Sequence, residues 1–180
     1  MILSDSDIRA SVATGQLVIN PFRDEQVQPA SYDFRLSNFF CIVTCVASDG
    51  ILRFKDVEDT LVAQPFIAER YVLPAGDRIL ALTEEFFGFD NRLAGQARSK
   101  STLARVFITI TSDACYFDPG FHGHAVIEIV NHNPFAVELL AGQRIGQMIF
   151  TRLEHPAVVP YEGHYEQQMD FVISRWMAAL

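Results

Sequence analysis

Phe117-Asp-Pro-Gly-Phe-His-Gly-His-Ala-Val-Ile-Glu-Ile-Val-Asn-His-Asn-Pro134 is the stretch on which the fold reading turns. Asp118-Pro-Gly120 has turn chemistry, as does Asn131-His-Asn-Pro134, and His124–Asn131 between them alternates as a strand does. The same rhythm recurs outward in both directions, over Phe39–Val46, Arg78–Thr83, Val106–Thr111, Ala136–Leu140 and Gly146–Leu153. Pro74-Ala-Gly-Asp77 and Ala141-Gly142 supply further turns. Short strands at this spacing predict a mainly β fold built on antiparallel pairs. Helix signals are sparse and cluster at the two ends. Ser4 or Asp5 can cap a short helix across Ile8 and Val12 that Gly15 stops, and Phe171–Leu180 has the composition of a last helix or an extended tail.

Composition narrows the function classes. The chain has 180 residues, 49% hydrophobic and 20% charged, which suits one domain (residues 1–180) with a sizeable core. Fourteen Lys and Arg against 22 Asp and Glu give a net charge of −8, which argues against a nucleic-acid binder while leaving room for a local basic pocket. No apolar run approaches the roughly 20 residues that span a bilayer, so no membrane partner is expected. Acidic residues at Asp5 and Asp7 and the absence of a basic opening argue against a signal peptide, and three cysteines, an odd number, against a disulfide framework. The expectation is a cytoplasmic protein.

Three places carry candidate chemistry. Ser99-Lys-Ser-Thr-Leu-Ala-Arg105 brings hydroxyls, a Lys and an Arg into one or two turns. It reads either as a phosphate site at a helix start or as an N-capped surface turn. Glu128 interrupts the apolar run Ala125–Val130. An alternating strand can aim it at solvent, whereas partial burial would raise its pKa and suit it to take a proton from water. Asp118 is either the first residue of a type I turn or an acceptor for a ligand hydroxyl. His122 and His124 share a strand face, but there is no C-x-x-C, H-E-x-x-H or H-x-E with P-C-x-x-C, so no protein-bound metal is expected.

Taken in order, several stretches resemble the dCTP deaminase family, a branch of the trimeric dUTPase fold. They are Met1-Ile-Leu-Ser-Asp5, Pro29-Ala-Ser-Tyr-Asp-Phe-Arg-Leu36, Lys100-Ser-Thr-Leu-Ala-Arg105, Phe117-Asp-Pro-Gly-Phe-His-Gly123, Val126-Ile-Glu128, Gly146-Gln-Met-Ile-Phe150 and Tyr161-Glu-Gly-His-Tyr-Glu-Gln-Gln168. The resemblance implies a distorted antiparallel β-barrel or jelly-roll with small helices near the termini, and residues 161–180 as a C-terminal lid. It implies hydrolytic deamination of dCTP to dUTP and ammonia by a homotrimer with sites between subunits. Glu128 would activate the water, with Ser101 and Arg105 in support. Lys100 and Thr102 would bind phosphate, Asp118 the 3′-hydroxyl, and Val126 and Ile127 the cytosine edge, with Ala114 beside the pyrimidine pocket. Gln147 would lie beneath the triphosphate and Tyr161, His164 and Gln168 would close over it. Mg²⁺ would arrive on the triphosphate, without zinc. A bifunctional dCTP deaminase/dUTP diphosphatase, a dUTPase, and a non-catalytic nucleotide-binding homologue are the competing readings.

Departures from the family pattern are concentrated around the phosphates and the base. Lys100 replaces an Arg and His164 a Lys, and Asp113 and Cys115 flank Ala114 where Thr and His or Gly are usual. A phosphate ligand at His164 holds its charge only when protonated, with an unperturbed pKa of about 6.5. The KM for dCTP is therefore expected to rise from about pH 6 to about pH 8 more steeply in the wild type than in a His164→Lys variant. Parallel KM profiles in the two proteins would show that His164 does not hold phosphate.

Overall fold

In the computed structural model, residues 1–53, 55–111 and 114–163 are described. Helix α1 (Asp5–Ala13) starts where a capping box can form. The Asp7 N–H donates to Ser4 Oγ at 3.3 Å and the Ser4 N–H to Asp7 Oδ2 at 3.0 Å. The helix ends at Thr14, and Gly15 follows at φ 74°, a backbone that stops a helix at little cost only in glycine. The inward face of α1 buries Ile8 and Ser11. Two short helices, α2 (Val57–Thr60) and α3 (Ser101–Arg105), lie in mid-chain, which corrects the expectation that helices cluster at the termini. The expected helix over 171–180 lies outside the described residues. Among the described residues no helix is long and apolar enough to cross a membrane.

The strands are β1 (Leu17–Asn20), β2 (Val27–Gln28), β3 (Ser31–Cys45), β4 (Leu61–Ile67), β5 (Arg70–Leu73), β6 (Arg78–Phe89), β7 (Leu93–Ser99), β8 (Ile108–Thr109), β9 (Tyr116–Phe117), β10 (His122–Asn131), β11 (Val137–Leu140) and β12 (Arg144–Arg152). Among the described residues, ten of them form one sheet along the path β8-β10-β6-β3-β12-β7-β9, with β1 on β6 and β2 and β4 on β3; β5 and β11 pair separately. Each recorded pairing is antiparallel. The sheet curls. Ile110 accepts from the Glu128 N–H on β10 at 2.9 Å and donates to Ser99 Oγ on β7 at 3.2 Å, so it stitches one end of the sheet towards the other.

The longest strand, β3, explains how the sheet acquires two buried faces. From Ser31 to Leu36 every residue is buried. Tyr32, Phe34 and Leu36 join the apolar core with Phe40, Phe87, Phe89, Ile127 and Phe150. Ser31, Asp33 and Arg35 point the other way, as strand alternation requires, and are buried as polar groups. Strand β10 alternates throughout, with Gly123, Ala125, Ile127 and Ile129 buried and His122, His124, Val126, Glu128 and Val130 half-buried.

The expected strand over Val106–Thr111 shrinks to Ile108–Thr109. Helix α3 occupies the chain up to Arg105, and Phe107 turns through φ 56°, a left-handed conformation that breaks an extended run. The expected Ala136–Leu140 strand is β11, beginning one residue later.

Tyr32 lies fully buried, its phenolic oxygen accepting from the Arg23 N–H at 3.0 Å. Burial pushes its pKa up to about 12 from 10. The native state thus keeps the phenol protonated where the unfolded chain ionises. The contribution is complete below about pH 10 and is lost as pH rises through about 12. The wild type is expected to lose on the order of 2 kcal/mol of unfolding free energy across that window beyond the loss seen in Tyr32→Phe, measured by denaturant titrations at each pH. Equal alkaline slopes in the two proteins would contradict this.

Candidate functional site

Glu128 sits in the middle of β10, opposite Leu80 of β6. The strand alternation puts it on the half-buried face, beside a small apolar cluster in which Cys41 and Leu82 are buried and Phe39, Val43, Ala63, Leu80 and Val126 pack around them. Glu128 therefore faces neither open solvent nor the main core. Burial pushes the Cys41 thiol up, away from the reactive thiolate form.

The position of Glu128 along β6 depends on a register break. Going from His124 to Val126 on β10 takes two residues, while their partners on β6 run from Phe86 to Leu82. Two extra residues bulge out of β6. Thr83 fills the gap in the ladder: its hydroxyl accepts from the Ala125 N–H at 3.0 Å and donates to the Glu85 carbonyl at 2.7 Å. His124 Nδ1 lies 2.9 Å from the Thr83 carbonyl, and His122 Nδ1 2.9 Å from that of Gly120. Both imidazoles are held by backbone oxygens, and among the described residues no group of three or more His, Cys, Asp or Glu is placed to hold a metal ion.

The bulge ends in a buried ion pair. The Glu85 carboxylate is fully buried and accepts from Arg35 twice, from Nε at 2.9 Å and from the backbone N–H at 2.8 Å. Gln26 Nε2 donates to Glu85 Oε1 at 3.0 Å and to the Asp33 carbonyl at 2.5 Å. Arg35 Nη2 lies 3.0 Å from Glu84 Oε1, an electrostatic contact without hydrogen-bond alignment. None of these groups was assigned a role from the sequence. Arg35 and Asp33 stood inside a quoted motif, but alternation alone could not reveal that their face is covered.

A second cluster lies at the start of α3. Lys100 is the N-cap residue, with φ −65° and ψ 141°, and its Nζ pairs with Asp33 Oδ2. Arg144 Nη1 reaches the same oxygen at 3.5 Å, from a strand whose pairing shifts between Arg144 and Gly146. Asp33 Oδ1 is buried and has no hydrogen-bond partner. Gln147, directly across from Asp33, accepts from Ser31 Oγ at 3.2 Å. Ser101, Thr102 and Arg105 are exposed. The phosphate reading of this segment thus rests on side chains gathered from β3, α3 and β12, since α3 is a single turn.

The Asp118 turn is type II rather than the expected type I, because Gly120 at its third position has φ 94°. The Phe121 N–H closes it onto the Asp118 carbonyl at 3.1 Å. This turn seats the chain leading into the tail. The Tyr161 N–H donates to the Pro119 carbonyl at 2.7 Å, and a Cβ on Gly120 would come within 2.8 Å of the Tyr161 nitrogen. The Tyr161 ring lies 6.4 Å from that of Phe121. Asp118 and Ala114 are exposed, Val126 is half-buried and Ile127 buried. Lys100 and Gln147 gather around Asp33, Tyr161 sits on the Asp118 turn, and Glu128 stands with Val126 and Ile127. Among the described residues no hydrogen bond or ion pair joins Asp118 to Lys100, Ser101 or Arg105. Asp113, His164 and Gln168 lie outside the described residues.

A family model described as dCTP deaminase-like matches residues 2–153. The dUMP-forming dCTP deaminase of Mycobacterium bovis is 38% identical over 162 residues, covering 89% of this chain and 85% of its own. That of Rhodococcus erythropolis is 37% identical, covering 89% and 86%. The crystal structure of the 2′-deoxycytidine 5′-triphosphate deaminase of Agrobacterium tumefaciens superposes with a TM-score of 0.63 at 25% identity, over 86% of this chain and 48% of that longer one. The dUTPase of phage phi11 of S. aureus superposes at 0.51 with 14% identity, over 81% and 96%, a likeness of fold alone. These likenesses bear out the expected dUTPase-type β architecture.

Glu85 holds the bulge, and its loss would leave the Arg35 charge buried with only Glu84 beside it. Glu85→Leu is expected to cost about 3–5 kcal/mol in urea unfolding, and an Arg35→Met, Glu85→Leu double variant to recover a large part of it. A single variant as stable as the wild type would show that the pair does not hold the fold.

Proposed function

The chain belongs to the dCTP deaminase-like family, and on that premise we propose that it hydrolyses dCTP, releasing ammonia from C4 and carrying the resulting dUTP on to dUMP and pyrophosphate. The observation that supports the first step is the placement of Glu128. It is half-buried on β10 between an apolar cluster and the strand backbone, where a carboxylate can hold one water apart from bulk solvent. Glu128 takes a proton from that water as its oxygen bonds to C4, and returns the proton to N3; the remaining C4 hydroxyl proton then passes through Glu128 to the amine, the C4–N4 bond breaks, and ammonia leaves as the C4 carbonyl forms. Among the described residues β8 pairs with β10 only at Val130 and Asn131 and Ile110 takes the Glu128 N–H, so the edge beyond Glu128 is where the backbone of Val126, with Ile127 beside it, can read the cytosine. Asp118 takes the 3′-hydroxyl, with Ala114 beside the base.

Lys100, Ser101, Thr102, Arg105 and Gln147 hold the phosphates, and Tyr161, His164 and Gln168 close over them. Mg²⁺ belongs to the substrate as the nucleotide complex, and no zinc takes part. The assembly is a homotrimer with shared sites, working in the cytoplasm on dCTP and dUTP, with neither nucleic acid nor membrane as partner. The dUMP-forming relatives favour the two-step reading over release of dUTP.

Ammonia and pyrophosphate released from dCTP and from dUTP decide the matter. The wild type is expected to release both products from dCTP. Glu128→Gln is expected to lower ammonia release by roughly 10²–10⁴-fold while still binding dCTP, because the amide can neither take nor return a proton. Ammonia without pyrophosphate would leave a deaminase that stops at dUTP. Near-wild-type ammonia release in Glu128→Gln would overturn the role of Glu128.

A further inference from the structure

Strands β7, β12 and β3 lie side by side, and their registers bring Arg98, Gln147 and Asp33 into one row: Gln147 pairs with Arg98 on one flank and with Asp33 on the other. Residues directly opposite in antiparallel ladders share a face, so the three side chains stand on the same side of the sheet. The core lies on the other side, where Met148, Ala97 and Tyr32 form the next row and are all buried. Arg98 is exposed, and among the described residues it has no hydrogen-bond or ion-pair partner. At the far end of the row, Lys100 and Arg144 both reach Oδ2 of Asp33.

The charges in this row do not cancel. Arg98, Lys100 and Arg144 bring three positive charges to a single carboxylate, in a chain whose net charge is −8. A structural ion pair needs one cation on Asp33, and Lys100 supplies it. Arg144 stands further off at 3.5 Å with its side chain 51% exposed, so it is only loosely committed to Asp33. Arg98 stands beside Gln147 on the adjacent strand, one spacing of about 5 Å away, while Arg144 starts from Gln147's own strand and reaches over to Asp33 on the β3 flank. A fork of guanidinium donors on each side of an amide fits a linear polyanion with several oxygens, which Arg binds bidentately.

We propose that Arg98 and Arg144 are two further ligands of the substrate's polyphosphate, flanking Gln147, and that they make affinity depend on the number of phosphates. The inference rests on the nucleotide reading above and extends it to two residues which the sequence motifs did not mark. Asp33 is then a positioning residue: it holds Lys100 and Arg144 over the row, and the incoming polyanion draws Arg144 outward.

The test uses the full-length Glu128→Gln protein, so that substrate is bound but not consumed, and titration calorimetry with dCTP, dCMP and inorganic tripolyphosphate. Arg98→Ala and Arg144→Ala are each expected to weaken dCTP and tripolyphosphate by about tenfold, to flatten the dependence of Kd on salt, and to leave dCMP within about twofold. Lysine at either position is expected to restore part of the affinity. The Arg98 side chain is exposed and makes no hydrogen bond or ion pair among the described residues, so Arg98→Ala reads out binding even if Arg144→Ala unsettles Asp33. Unchanged dCTP affinity in Arg98→Ala and Arg144→Ala, or an equal loss for dCMP, would overturn the proposal while leaving the nucleotide reading intact. A parent protein that binds tripolyphosphate through these arginines but not dCTP would overturn the nucleotide reading and keep the polyphosphate site. A parent that binds neither would overturn both.

Discussion

The pairing of Arg35 with Glu85 is the constraint from which much of the remaining arrangement follows. A charged pair taken out of water is costly unless other groups compensate it; here the Arg35 N–H and Gln26 serve the Glu85 carboxylate, and Glu84 stands 3.0 Å from Arg35 Nη2 as a second negative charge. Glu85 reaches Arg35 because β6 carries two residues more than β10 opposite, and Thr83 replaces the missing rung with its hydroxyl. That bulge sets the register of β10 on its far side, where Glu128 faces Leu80. A carboxylate proposed to move protons is thus placed by a buried ion pair on another strand.

Strand β3 links this device to the phosphate side. Its polar face carries Asp33 and Arg35 two residues apart, so one strand anchors both the bulge and the cation cluster of Lys100 and Arg144. Gln26 joins them directly, donating to the Asp33 carbonyl and to Glu85. The catalytic and phosphate-binding ends of the proposed site therefore share one rigid buried frame rather than two independent loops. Rigidity of this kind favours precise placement of a carboxylate against a small base.

The Asp118 turn and the tail make a second unit. Gly120 permits the close approach of Tyr161, and the hydrogen bond from the Tyr161 N–H to the Pro119 carbonyl fixes Tyr161 on this turn. The segment proposed to close over the nucleotide follows the turn whose first residue is proposed to hold the sugar.

The sequence by itself determined the elements whose signals are local. Alternation over His124–Asn131, an N-cap at Ser4 or Asp5, and the turn residues at Asp118-Pro-Gly120 were legible because each depends on neighbours within a few positions. The ordered motifs identified the family, with Glu128, Lys100 and Gln147 among the residues singled out. Only the tertiary structure decided what long-range pairing controls. Strand over Val106–Thr111 was overridden by a helical turn and by Phe107 at φ 56°. The burial of Asp33 and Arg35 depends on partners 50 or more positions away, Glu85 and Lys100. The row that sets Arg98 beside Gln147 arises from a strand register, which no window of sequence contains, because register is settled by which side chains across the sheet can be buried together.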